Sequence, residues 1–140
     1  MPFAFFDHTG DVGVRLRAPT LAGLFAEGAA ALTATLVDPG GLRPVERRVF
    51  ALEADSPDLL LVDWLNELVY RFEVEDLLVV AVDARVARRA GRWHLEATVD
   101  GERFDPSRHA ARVLVKSATY HRLEVVETPD EFDATVVFDI

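Results

Sequence analysis

The chain has 140 residues, 50% of them hydrophobic, and its 24 acidic against 15 basic residues give a net charge of −9 with no cysteine. That length and apolar content suit one core and one domain, residues 1–140, that folds without staples. The missing cysteines exclude disulfides, thiolate catalysis and Cys-ligated zinc or iron–sulfur sites, and the acidic surplus argues against strong direct binding of nucleic acid, which draws its non-specific affinity from cations on phosphates.

In chain order, the opening MPFAFFDH has no basic region and too few apolar residues for a signal peptide or a membrane span. No membrane association is expected, and a cytoplasmic protein is the default. Phe3 to Phe6 and Val12 to Leu16 read as strands, the second alternating Val12, Val14 and Leu16 with Gly13 and Arg15. The polar pentad Asp7-His8-Thr9-Gly10-Asp11 between them reads as a turn. Thr20 caps a helix that shows Leu21, Leu24, Phe25, Leu32 and Leu36 on one face and stops at Asp38-Pro39-Gly40-Gly41.

After an extended stretch from Val45 to Leu52, Ser56-Pro57 starts a second helix with Leu61, Leu65, Leu68 and Phe72 on one stripe. The remainder reads as strands: Leu77 to Arg88, Arg92 to Val99, Arg103 to Phe104, Ala111 to Val126 and Phe132 to Phe138. Ala90-Gly91 and Asp100-Gly101 punctuate them as hairpin turns. Helices in the first half followed by a run of strands predict an α+β fold, two main helices packed on a largely antiparallel β-sheet.

The chemistry-bearing residues are few. Phosphate-binding loops, dinucleotide-binding glycine turns and serine elbows are absent, which removes NTPases, dehydrogenases and lipase-like hydrolases. Asp7 and Asp11 in one turn offer hard oxygens to a cation such as calcium, although most such pairs bond their own backbone instead. An EF-hand is ruled out: counted from Asp7, Val12 stands where glycine is needed and Ala18 where a bidentate Glu belongs.

At the far end, a period of two along Phe132 to Ile140 puts Ala134, Val136, Phe138 and Ile140 on one face and Asp133, Thr135, Val137 and Asp139 on the other. Asp139 escapes the core, and the Ile140 α-carboxylate beside it adds a second anion, either as part of a site or as a solvated acidic end. Among 14 arginines stands a single lysine, Lys116, in Lys116-Ser117-Ala118-Thr119-Tyr120-His121. On a strand Lys116 and His121 point apart, which argues against a Lys-His dyad.

Several segments together resemble one family. Asp7-His8-Thr9-Gly10-Asp11-Val12-Gly13 resembles the opening motif of the archeases, with Gly10 where that motif has alanine, and Leu60-Leu61-Val62-Asp63-Trp64-Leu65-Asn66-Glu67-Leu68 is similar to their central helix. Val115-Lys116-Ser117-Ala118-Thr119-Tyr120-His121 resembles a third family segment, with Ser117 in place of alanine, and Asp139-Ile140 matches the family's final residues. The resemblance spans essentially the whole chain.

It implies an accessory protein, not an enzyme, that activates the 3′-phosphate tRNA-splicing RNA ligase by promoting guanylylation of the ligase histidine and repeated turnover. The implied cofactor is Ca2+ or another divalent cation, held by Asp11, Asp139 and the terminal carboxylate of Ile140. Asp7, His8, Lys116 and His121 become site neighbours or partner contacts. Two alternatives stand beside this reading: a small metal-dependent phosphoester hydrolase working with Asp7, Asp11, Asp139 and a His, and a chaperone-like binding module.

Overall fold

Both helices begin where a capping hydroxyl meets the backbone. Thr20 Oγ1 accepts from the Gly23 N–H at 3.0 Å and opens α1 (Leu21–Leu36). Ser56 Oγ accepts from the Leu59 N–H at 3.2 Å and, with proline in the first turn, opens α2 (Pro57–Glu75). This computed structural model describes residues 2–8 and 10–140, without the side chains of Phe6, Asp7, His8, Tyr120, His121 and Arg122.

The strands are β1 (Phe3–His8), β2 (Asp11–Ala18), β3 (Glu46–Ala54), β4 (Leu77–Arg89), β5 (Arg92–Arg103), β6 (Ser117–Glu127) and β7 (Phe132–Asp139). They form two sheets, β1-β2-β7-β6 and β3-β5-β4, in which every pairing is antiparallel. α1 packs on β4 and β2 while α2 packs on β6 and β3, so the helices bridge the sheets and the fold is α+β. Their apolar stripes meet the inward faces of both sheets in one core containing Phe25, Leu65, Leu95, Val136 and Phe138. Trp64 lies fully buried at its centre, edge-on to Phe50, and its indole N–H reaches the Phe25 carbonyl at 3.0 Å. A buried indole nitrogen needs such a partner.

Three local expectations change. Asp100-Gly101 is not a turn: β5 runs straight through it, and the register with β4 shifts between Val79 and Ala81, opposite Gly101. The glycine is there for space, since a Cβ at position 101 would stand 2.4 Å from the Leu78 carbonyl oxygen. Thr33 Oγ1 donates to the Val79 carbonyl at 2.8 Å beside this bulge. Gly101→Ala must push β4 and β5 apart, and urea unfolding should show a loss of about 2 kcal/mol; an unchanged midpoint would mean the strands separate freely. Ala90-Gly91, by contrast, is the hairpin turn expected, with φ of 52° and 76°.

The second change concerns residues 111–116, which lie outside the strand that follows them. Hydrogen-bonding groups of Arg112 and Val113 serve the end of α1, which lacks a glycine cap. The Arg112 and Val113 N–H groups donate to the Leu36 and Thr35 carbonyls at 2.8 and 3.1 Å, and the Arg112 guanidinium donates to the Ala34 carbonyl at 3.1 Å. A helix C-terminus leaves these carbonyls without intrahelical donors, so the segment acts as its cap.

The third change is that β1 runs through His8 and β2 starts at Asp11. Asp7 pairs in register with Val12 and His8 with Asp11, so Asp7 and Asp11 occupy separate rows of the sheet rather than one turn.

Candidate metal centre

β2 alternates strictly, with Val14, Leu16 and Ala18 buried, and Arg15 and Arg17 exposed on the other face. β7 lies against it in register, pairing Leu16 with Ala134, Val14 with Val136 and Val12 with Phe138. Extending that alternation to the end of the strands makes Asp11 the direct partner of Asp139, on the face away from the helices. Both carboxylates are half-buried. One strand further, Ser117 of β6 pairs with Asp139, and the Lys116 N–H donates to the Asp139 carbonyl at 2.8 Å. His8 of β1 completes the row in backbone register.

Two carboxylates directly opposite on neighbouring strands repel each other, and a hard cation accepting an oxygen from each converts that repulsion into coordination. Asp11 and Thr119 each have a further interaction partner. Among the described residues, no three His, Asp or Glu side chains come together as a metal-binding group. The donor set of this row is two hard carboxylates, of the chemistry that calcium takes, and it needs at least one more anion or carbonyl to close. Ile140, next in the chain, is 38% exposed.

Lys116 is exposed and precedes β6 rather than lying within it. Its relation to His121 by simple alternation fails for a second reason: β6 slips in register between Thr119 and Glu124, so residues 120–123 stand opposite the single position Val136. The side chains of Asp7, His8 and His121, expected beside the site, lie outside the described residues.

A separate charged cluster sits between the end of β5 and the loop that leads to the segment capping α1. Glu102 is buried and accepts from the Arg43 N–H at 2.7 Å, from the Arg108 guanidinium, and from His109 Nε2 at 3.3 Å. His109 Nδ1 accepts from the Asp105 N–H at 2.9 Å, which assigns the ring proton of the neutral imidazole to Nε2, facing Glu102. Phe104 stacks on the ring at 5.9 Å. Burial alone would raise the Glu102 pKa, but the Arg43 N–H, Arg108 and His109 together hold it at about 2. These bonds make the cluster a clamp on the chain that follows β5. A groove of about 460 Å³ nearby, lined by Leu36, Phe72, Phe104, Val113 and Leu114, includes neither Asp11 nor Asp139.

A model of the archease protein family matches residues 3–140. The chain belongs to the archease family. Among archease relatives, it is 32% identical to a Methanopyrus kandleri protein over 142 residues, covering 100% of both chains. It is 31% identical to one from Methanosarcina acetivorans, covering 99% of this chain and 95% of that one. Among solved structures, a Methanobacterium thermoautotrophicum protein superposes with a TM-score of 0.86 at 26% identity, covering 99% of each chain. An archease from Thermotoga maritima, described as a possible chaperone, shares the fold with a TM-score of 0.64 at 16% identity, covering 96% of this chain and 94% of that one.

Within the archease chain, the two strands that carry Asp11 and Asp139 lie at opposite ends of the sequence, and their adjacency is a tertiary fact. Asn66 lies in the segment that resembles the family's central helix, and neither motif nor periodicity assigns it a role. Its signal was available: an asparagine among leucines in mid-helix is a poor helix former that wants a hydrogen-bond partner.

Proposed function

We propose that this chain is a cation-binding accessory protein that activates the 3′-phosphate tRNA-splicing RNA ligase, promoting guanylylation of the ligase histidine and multiple turnover. It is not itself the ligase. Full-length membership of the archease family supports this reading, and the observation that carries it is the in-register pairing of Asp11 with Asp139. The ligands are Asp11, Asp139 and the Ile140 carboxylate, and the cation is Ca2+ or another divalent ion. When bound, the cation supplies a hard positive charge that ties β2 and β7, the two inner strands of the sheet, together at one point.

The net charge of −9 suits docking on a basic, RNA-handling enzyme better than holding RNA, because complementary charge steers the encounter of two proteins. Lys116, exposed beside Asp139, is a candidate for charge balance or for contact with the partner, and Asp7, His8 and His121 are candidates for neighbours of the site or contacts with the partner. Among the described residues, no helix is long and apolar enough to cross a membrane, and action in the cytoplasm is part of this proposal.

Calorimetric calcium titration tests the ligand set. Extending the chain past Ile140 turns its carboxylate into an amide and should weaken calcium binding, whereas an N-terminal extension should not. Equal affinity in both proteins would remove Ile140 from the site. Ligation by the cognate ligase, with and without this chain, tests the activation.

A further inference from the structure

β6 is an outer strand of its sheet, so one edge of its backbone has no strand to pair with. Among the described residues, side chains of α2 cover that edge at two places. Asn66 Nδ2 donates to the Ala118 carbonyl at 3.0 Å while its Oδ1 accepts from the Ala118 N–H at 2.7 Å. One amide thus reproduces the pair of bonds that a neighbouring strand makes to a single residue. Further along, Asp58 Oδ1 accepts from the Val125 N–H at 2.9 Å. The register slip of β6 lies between these two clamps.

The Asn66 clamp falls beside the candidate centre. Ala118 pairs with Phe138, and the next pair along is Ser117 with Asp139. The Asp58 clamp falls elsewhere, because Val125 pairs with Ala134, well away from Asp139 along β7. We propose that Asn66 is a positioning residue for the Asp11–Asp139 centre. By gripping both backbone groups of Ala118 it fixes the end of β6 that flanks Asp139, and so holds Asp139 in register with Asp11. A one-residue slip of β7 between β6 and β2 would turn the Asp139 carboxylate to the opposite face of the sheet. The inference rests on the cation-binding reading above.

The test is calcium titration of the wild type, Asn66→Ala and Asp58→Ala, with thermal unfolding of each in the absence of calcium. Each variant loses one backbone clamp, so both should unfold at lower temperature than the wild type. Calcium affinity should fall by about 10-fold or more in Asn66→Ala alone, the size of effect seen when a group that orients a metal ligand is removed. Equal affinity in wild type and Asn66→Ala, or equal losses in the two variants, would overturn the positioning role and leave the cation reading intact. No calcium binding by the wild type would overturn that reading and this inference with it. Should Asn66→Ala fail to fold, Asn66→Gln carries the same amide on a longer stem and should weaken binding in the same direction; unchanged affinity in it counts against the role.

Discussion

Glu102→Ala should lower the thermal unfolding midpoint by several degrees, corresponding to a loss of ~2 kcal/mol or above. The carboxylate is buried and holds the Arg43 N–H, the Arg108 guanidinium and His109 together. Removing it leaves the His109 and Arg43 N–H groups without their acceptor, while the exposed Arg108 guanidinium keeps the Gly41 carbonyl at 3.3 Å, and two unpaired N–H groups cost more than the loss of an exposed ion pair. The clamp also anchors the segment whose N–H groups cap α1, so the loss should spread to that helix end and appear as faster amide exchange at Val113. A midpoint shift of a degree or two would mean that water replaces the carboxylate without penalty.

The same group sets a pH dependence. Its folded pKa of about 2 lies below the usual 4.5, so between those values the unfolded chain binds a proton that the folded chain does not. Its stabilisation is complete above pH 4.5 and is lost as pH falls toward 2. Asp105, held down by the Ser107 hydroxyl and N–H, acts in the same sense. Unfolding measured from pH 7 down to pH 3 should show a steeper acid decline in the wild type than in Glu102→Gln; parallel curves would contradict the assignment.

The second large effect concerns the candidate centre. Asp11→Ala and Asp139→Ala should each reduce calcium affinity on the order of 100-fold, because affinity for a hard cation follows the number of charged ligands. The fold should survive both changes, since neither carboxylate belongs to the core. If the cation has a part in activation, each variant should also stimulate the ligase poorly. Loss of calcium binding with activation intact would confine the cation to a structural role.

Much of this architecture is legible in the residues. Thr20, Ser56 and Pro57 announce both helices because capping is local chemistry, and Ala90-Gly91 announces its hairpin for the same reason. Asp100-Gly101 carries the same turn signature, yet its glycine serves the close approach of the Leu78 carbonyl, a tertiary demand that no local pattern displays. The valines of residues 111–116 look like strand, yet their segment lies beside a helix end whose carbonyls need donors. The pairing of Asp11 with Asp139 joins residues from the two ends of the chain; periodicity gave each its face, and family resemblance alone brought them to one site. The Glu102 cluster is not legible in the sequence, because a Glu and a His separated by a loop show no periodic signal.

The most direct test of the central claim is multiple-turnover RNA ligation by the cognate ligase, held limiting, with and without this protein. Strong stimulation is the predicted result, and Asp11, Lys116 and Asp139 would then be tested one at a time. No stimulation across divalent metals and nucleotides would contradict the activator reading and return the metal-dependent hydrolase and the chaperone-like module to the front.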